Sequence, residues 1–284
     1  MGASIFLRRS FRLCCPALGI ATAVQLLARY RVHDADHYGL LDGARLRRLS
    51  GAPWAGGAET GALDDAARVA WLPPCEPTKR VCVGLNYVEH VAESLTVAPE
   101  HREVPAEPLL FLKPPSASLA HGGTIRYPAG VTRLDPEGEL AVVIGRRASH
   151  VAESEALAHV AGVTCFNDVS ARNYQKSDGQ WARAKGFDTF APFGPVIALG
   201  LSPADLALEL RVNGTVRQRA RTSQMHFKVA FLVHHVSKIM TLEPGDVIAT
   251  GTPAGIAPIE PGDRVEVEIE GVGVLANRVG AREA

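Results

Sequence analysis

Two glutamates one residue apart, in Leu134-Asp135-Pro136-Glu137-Gly138-Glu139-Leu140, run directly into the apolar stretch Ala141-Val142-Val143-Ile144-Gly145. A short run that is apolar on both faces reads as a core strand, and side chains two apart on a strand share a face, so Glu137 and Glu139 point the same way at its mouth. Paired carboxylates beside apolar packing repel, and their ionised forms are costly unless a cation lies between them. A donor set made only of oxygen suits Mg2+, Mn2+ or Ca2+. The spacing alone equally allows a strand end whose acids face water. Asp168, where Gly162-Val163-Thr164-Cys165-Phe166-Asn167 gives way to a helical stretch starting at Val169, could complete the ligand set or cap that helix.

Other residues could supply the remaining chemistry. His90 and Glu93 are three apart on an expected helix, where the carboxylate would orient the imidazole and strengthen it as a base; a surface pair on an amphipathic helix has the same spacing. Arg172 and Gln175 share a face and could bind the carboxylate and carbonyl of a small organic acid, although an arginine there could also face solvent. Lys185 is placed to reach inward. Lys113 closes a strand and could meet an anion or simply be solvated. Thr250-Gly251-Thr252 ends a strand with hydroxyls and close backbone NH groups.

Positioning these residues takes a mostly β chain. The sequence predicts strands over Leu26–Val32, a hairpin turning at Asp42-Gly43, and strands at Val81–Leu85, a buried Leu109–Leu112, Ala141–Ile144, Gly162–Asn167, Val247–Thr250 and Val265–Glu270 with a return to Val279. A second hairpin turns at Asn213-Gly214, and Met225 to Met240 has helical spacing, with His234 and His235 as structural residues on it. Residues 51–67, 96–108 and 180–195 read as loops, the last one rigid because Phe, Gly and Pro crowd it. Leu72-Pro73-Pro74-Cys75-Glu76-Pro77 reads as a stiff connector.

The 284 residues carry 30 basic and 30 acidic side chains and are 46% hydrophobic, an ordinary globular composition with no charge excess to suggest a nucleic-acid or membrane-surface partner. No run of about 20 apolar residues predicts a transmembrane span. Five cysteines without metal-finger or redox spacing fit reduced thiols.

Six motifs in order resemble the fumarylacetoacetate hydrolase family from about Leu72 to Val279: Gly84-Leu85-Asn86-Tyr87 with His90 and Glu93, Phe111-Leu112-Lys113-Pro114-Pro115-Ser116, Glu137-Gly138-Glu139, Asn167-Asp168-Val169-Ser170-Ala171-Arg172, Lys185-Gly186-Phe187-Asp188, and Thr250-Gly251-Thr252-Pro253. The resemblance implies an α+β fold, a rolled mixed β-sheet catalytic domain over 76–284 after a small β module over 26–75, and a homodimer. It places Mg2+, Mn2+ or Ca2+ on Glu137, Glu139 and Asp168, a catalytic dyad on His90 and Glu93, and substrate contacts on Arg172, Gln175 and Thr252. Lys185 would offset developing negative charge. Similar short members include acylpyruvate hydrolases, oxaloacetate decarboxylases and hydroxymuconate-type isomerases. The expected activity is metal-dependent cleavage of a carbon–carbon bond in acylpyruvates or related β-diketo acids. Isomerisation of a hydroxymuconate-type dioate or decarboxylation of oxaloacetate is the alternative, since all three pass through an enolate of a 2-oxo acid. A non-catalytic metal-binding relic is the contrasting class, and the presence of His90 and Glu93 speaks against it.

Residues 1–25 have no counterpart in this pattern. Arg8, Arg9 and Arg12 precede a short apolar run, and no acid occurs before Asp34. An uncleaved tail outside the fold is the first reading, which leaves the protein cytoplasmic; a twin-arginine export signal at Arg8-Arg9-Ser10-Phe11 or an organellar transit peptide are the others. Deleting residues 1–24 is expected to leave melting temperature and activity unchanged, because every motif residue lies later. A large drop in melting temperature would mean that the segment packs on the fold.

Overall fold

The computed structural model describes residues 24–90 and 105–284. The N-terminal strands are β1 (Gln25–Val32), β2 (Ala35–Asp42), β3 (Arg45–Leu49), β4 (Glu59–Asp65) and the short β5 (Ala70–Trp71). Next come β6 (Arg80–Gly84), β7 (Leu109–Lys113), β8 (Ser118–Leu119), β9 (Thr124–Tyr127), β10 (Leu134–Asp135), β11 (Gly138–Ile144), β12 (Val160–Asn167) and β13 (Ser170–Ala171). Helices α1 (Arg172–Asp178) and α2 (Ala182–Gly186) lead to β14 (Ala191–Leu199), β15 (Ala207–Val212) and β16 (Thr215–Arg221). Helix α3 (Val229–Ile239) precedes β17 (Val247–Ala249), β18 (Arg264–Ile269) and β19 (Gly273–Arg282).

The large sheet runs β4-β3-β2-β1-β14-β12-β11-β17-β6-β7, and a five-stranded sheet runs β16-β15-β18-β19-β9. Mixed strand directions and few helices make this the expected α+β architecture with a β module at the N-terminus. That module is continuous with the rest, because β1 pairs antiparallel with β14 from Gln25↔Leu199 to Ala28↔Val196.

Strand β11 shows why the site sits where it does. All seven of its residues are buried. Leu140, Val142 and Ile144 join the main core with Leu208, Leu210, Val265 and Val267 of the smaller sheet, while Ala141 and Val143 join a second cluster on the opposite face with Cys82, Phe166 and Phe193. Burial on both faces requires the unbroken apolar run, each large side chain contributing about 1.5–3 kcal/mol. Glu139 lies in register with Ala141 and Val143, and so faces the second cluster.

Local chemistry sets the turns. Asn213 and Gly214 both take positive φ, 51° and 78°, as a two-residue hairpin between β15 and β16 requires. In the β2–β3 hairpin Asp42 pairs with Arg45, so the turn is Gly43-Ala44, one residue beyond the expected Asp42-Gly43. Three segments read as less regular or more buried than they are. Residues 51–67 contain β4, held by pairing with β3 rather than by its own Gly- and Ala-rich composition. Residues 180–195 hold α2 and the start of β14, a fully buried strand whose pairing with β1, β8 and β12 overrides its Gly and Pro content. Strand β7 is not a buried strand: it forms the edge of the large sheet, Leu112 is 50% exposed, and only Lys113 is buried. Helix α3 starts at Val229, four residues after Met225, which instead bridges to Tyr87. Among the described residues no helix is long and apolar enough to cross a membrane.

Candidate active and metal site

Glu137, Glu139 and Asp168 are brought together at one end of the β11–β12 pair. Each offers a carboxylate oxygen, and the three oxygens lie within 4.8 Å of one another. All three residues are buried, at 4%, 1% and 1% exposure. Asp168 does not cap a helix, since the residue preceding α1 is Ala171; its backbone NH instead donates to the Glu137 carbonyl at 2.8 Å, tying the two ligand-bearing segments together.

The three carboxylates differ in what faces them. Glu137 accepts from Arg172 Nη2 at 2.6 Å and Lys185 Nζ at 2.7 Å, and Lys185 also reaches Asp168 Oδ2 at 2.6 Å. Asp168 Oδ1 lies 2.6 Å from Lys113 Nζ without an aligned hydrogen bond, and that ammonium donates to the carbonyls of Val169 and Phe190. Glu139 accepts only the Gly251 backbone NH at 2.9 Å among its recorded hydrogen bonds. Burial would raise the Glu137 carboxyl, but the Arg172 and Lys185 charges hold it well below the usual carboxylate range. Burial also raises Glu139, and the neighbouring Asp168 and Glu137 charges push it further, well above that range. The Lys185 ammonium is disfavoured by burial yet held above its ordinary value by Asp168 and Glu137, whereas burial dominates at Lys113 and lowers it.

These groups fit a divalent cation. Three converging carboxylate oxygens form a hard donor set, Asp168 Oδ1 is a buried acceptor without a hydrogen bond, and Glu139 lacks the cation that would make its ionisation favourable. Glu137, Glu139 and Asp168 would hold the ion.

A pocket opens onto the cluster. His90, Arg172, Gln175, Lys185 and Thr252 line its polar side; Val83, Leu85, Phe111 and Trp181 line its apolar side. His90 belongs to the helical turn that begins at Val88, separated from the end of β6 by the three residues Leu85–Tyr87, and is 5% exposed. Glu93, the expected partner of the dyad, lies outside the described residues.

Residues 79–280 match the family model described as Fumarylacetoacetate (FAA) hydrolase C-terminal, and residues 26–74 match the one described as Rv2993c-like, N-terminal. The chain belongs to the fumarylacetoacetate hydrolase family. Protein Rv2993c of Mycobacterium tuberculosis is 47% identical over 82% of this chain and 87% of its own. The human mitochondrial oxaloacetate tautomerase FAHD2A is 42% identical over 75% of this chain and 70% of its own. The crystal structure of 2-hydroxyhepta-2,4-diene-1,7-dioate isomerase from Mycobacterium marinum superposes with a TM-score of 0.83 at 43% identity, covering 92% of this chain and 99% of that one. Maleylpyruvate hydrolase from Sphingobium sp. SYK-6, solved with manganese (II) ion and pyruvate, superposes with a TM-score of 0.74 at 28% identity, over 91% and 100%. Proteins of this family thus carry the names of an isomerase, a tautomerase and a hydrolase.

Within that family frame, the residues expected to contact substrate are already engaged by the protein. Arg172 gives Nε to Asp135 at 2.8 Å, Nη1 to Gln175 Oε1 at 2.8 Å and Nη2 to Glu137, so its guanidinium fixes the Glu137 carboxylate and the Gln175 amide together. It is buried, not solvent-facing. The Thr252 hydroxyl donates to the Gly138 carbonyl and accepts from Gln218 Nε2, so it braces the ligand strand. Three further residues complete the support. Lys113 is fully buried against Asp168, although a lysine at a strand end is commonly solvated. Asn86 donates to the carbonyls of Phe227 and Thr250 and accepts from the Phe227 NH, locking the segment before His90 to β17. Gly251 is required as glycine: its φ is +96°, and a Cβ would stand 2.8 Å from Asn86 Cβ, displacing the NH that Glu139 accepts.

Proposed function

We propose that this chain converts a 2-oxo dicarboxylic acid through its enolate, with keto–enol tautomerisation or double-bond isomerisation as the net reaction. The observation that carries this reading is the charge balance of the cluster. Glu137, Glu139 and Asp168 face Lys113, Lys185 and Arg172, while Asp135 is matched by a two-pronged contact from Arg133. With all groups ionised the cluster is neutral, and a divalent ion turns it into a site with two positive charges. Such a site suits a dicarboxylate dianion in a low-dielectric pocket.

When bound, a cation such as Mg2+ supplies Lewis-acid stabilisation of negative charge on the 2-oxo oxygen. The chain's own groups do the rest. Lys185, beside Glu137 and Asp168, meets charge developing on the substrate as the enolate forms. His90, in the pocket wall, carries the proton between the carbon next to the carbonyl and the enol. Arg172 holds Glu137 in place so that the carboxylate does not swing toward substrate.

Tautomerisation or isomerisation is favoured by the 42–43% identity to proteins named for those reactions, against 28–33% to structures named as hydrolases. Hydrolysis of acylpyruvates is the second reading: His90, with Glu93 behind it, would activate water instead of shuttling a substrate proton. Turnover of enol-oxaloacetate, a 2-hydroxymuconate-type dioate and acetylpyruvate, measured side by side with Mg2+, separates the two. No Mg2+-dependent turnover of any of them would sink the enzyme reading. His90→Ala is expected to lower turnover of the preferred substrate about 10²- to 10⁴-fold while leaving Mg2+ affinity nearly intact, since the imidazole acts on protons and not on the ion. Calorimetric Mg2+ titration of the variant checks the second half.

A further inference from the structure

The apolar side of the pocket has a built rim that the chemistry above does not use. Trp181 immediately precedes α2, and its carbonyl accepts the Lys185 NH at 2.9 Å, so Trp181 and Lys185 stand one turn apart. The indole lies against the backbone of Gly84, where an added Cβ would come within 3.0 Å of Trp181 Cζ3 and 3.2 Å of Cη2. It also meets Phe111 edge-on, with ring centroids 5.3 Å apart at 73°. Lys185 Nζ is 6.0 Å from the Trp181 ring centroid and 5.0 Å from that of Phe111. The aromatic pair thus stands one side-chain length from the charged end, seated on a glycine that leaves it room.

We propose that Trp181, seated on Gly84 and against Phe111, sets the length of 2-oxo acid that the pocket accepts, and that it favours short chains over the seven-carbon class. The inference rests on the reading that the acid cluster holds the 2-oxo carboxylate end. With the ring centroids of Trp181 and Phe111 only 6.0 and 5.0 Å from Lys185 Nζ, the carbons beyond the charged end meet the aromatic pair, and each methylene added to the chain must be accommodated against it. The ring is held by packing on two sides, so yielding to the longer chain would cost the contacts with both Gly84 and Phe111.

The test measures binding, not turnover. Wild-type, Trp181→Phe and Trp181→Ala, each loaded with Mg2+, are titrated calorimetrically with 2-oxoglutarate and with 2-oxopimelate, and thermal melts confirm that each variant is folded. Wild type is expected to prefer 2-oxoglutarate. Trp181→Ala is expected to tighten 2-oxopimelate about tenfold or more with less than about a threefold change for 2-oxoglutarate, a contrast in the range that a few methylenes in an apolar pocket can supply. Trp181→Phe falls between. An unchanged ratio, or equal weakening of both ligands, would overturn the proposal and leave Trp181 as a support for Lys185. If neither acid binds the Mg2+-loaded wild type, the placement of the 2-oxo carboxylate fails first and the length rule fails with it. Should Trp181→Ala not fold, the ratio in Trp181→Phe decides alone.

Discussion

Glu139→Gln is expected to make the metal-free protein more stable and the metal-loaded protein no better than the metal-free one. Glu139 is buried beside Asp168 and Glu137, its carboxyl is pushed well above the usual range, and its recorded support is one backbone NH from Gly251. Glutamine keeps the shape and can accept the same NH bond, but it removes a charge that the Gly251 NH and Lys185 do not fully offset against burial and the two neighbouring acids. The sign follows from proton linkage. A carboxyl whose folded value is raised binds more protons in the native state than in the unfolded one, so its contribution to stability falls as pH climbs from the ordinary carboxylate value through the raised one. The advantage of the variant over wild type, without metal, should therefore grow across that window and level off above it. Mg2+ should reverse the order, because the ion needs the ionised ligand. The loss of affinity should be at least about 10- to 100-fold, the effect that even residues behind a ligand have. Melting curves at several pH values, with and without Mg2+, decide. A variant that gains as much melting temperature from Mg2+ as wild type does would remove Glu139 from the ligand set.

That the two glutamates act together was legible from the chain, because strand periodicity alone puts Glu137 and Glu139 on one face and the apolar run after them requires burial. The positive-φ turn at Asn213-Gly214 was legible for a similar reason, being a demand of local backbone geometry. What escaped was set by partners distant in sequence. Lys113 looks like any lysine ending a strand until Asp168, Val169 and Phe190 close around its ammonium. Arg172 reads as a substrate clamp until Asp135 and Glu137, more than thirty residues earlier, take up its guanidinium. Strand β14 was hidden because Gly and Pro interrupt its first half, and its neighbours β1, β8 and β12 make it a strand. Thr252, expected to contact substrate, lines the pocket, but the direction of its hydroxyl, toward Gly138 and Gln218, depends on β16 lying alongside.

Lys185→Met should act in the opposite sense to Glu139→Gln. Lys185 is buried with its ammonium between Glu137 Oε2 and Asp168 Oδ2, so in the metal-free protein it is the shared counterion of two ligands. Methionine fills similar space without charge. Removing one partner of a buried ion pair costs about 3–5 kcal/mol, and Arg172 beside Glu137 and Lys113 beside Asp168 should keep the loss toward the lower end. Since Lys185 is held above its ordinary value, its contribution is fully present below the usual lysine range and declines only as pH rises beyond it. The deficit of the variant should thus be constant through neutral pH, unlike the pH-dependent gain expected for Glu139→Gln. Mg2+ should restore much of the lost stability, because a dication meets the same two oxygens and no longer competes with a resident ammonium. Affinity should hold or tighten even as turnover falls by about 10²- to 10³-fold, the scale seen when one stabilising donor is removed from a reacting oxyanion. Denaturant titration without metal, calorimetry with Mg2+ and turnover of the preferred 2-oxo acid give three independent readings. If Mg2+ binding collapses together with turnover, Lys185 is needed to assemble the ligand set, and its role as a counterion that gives way to the metal is wrong.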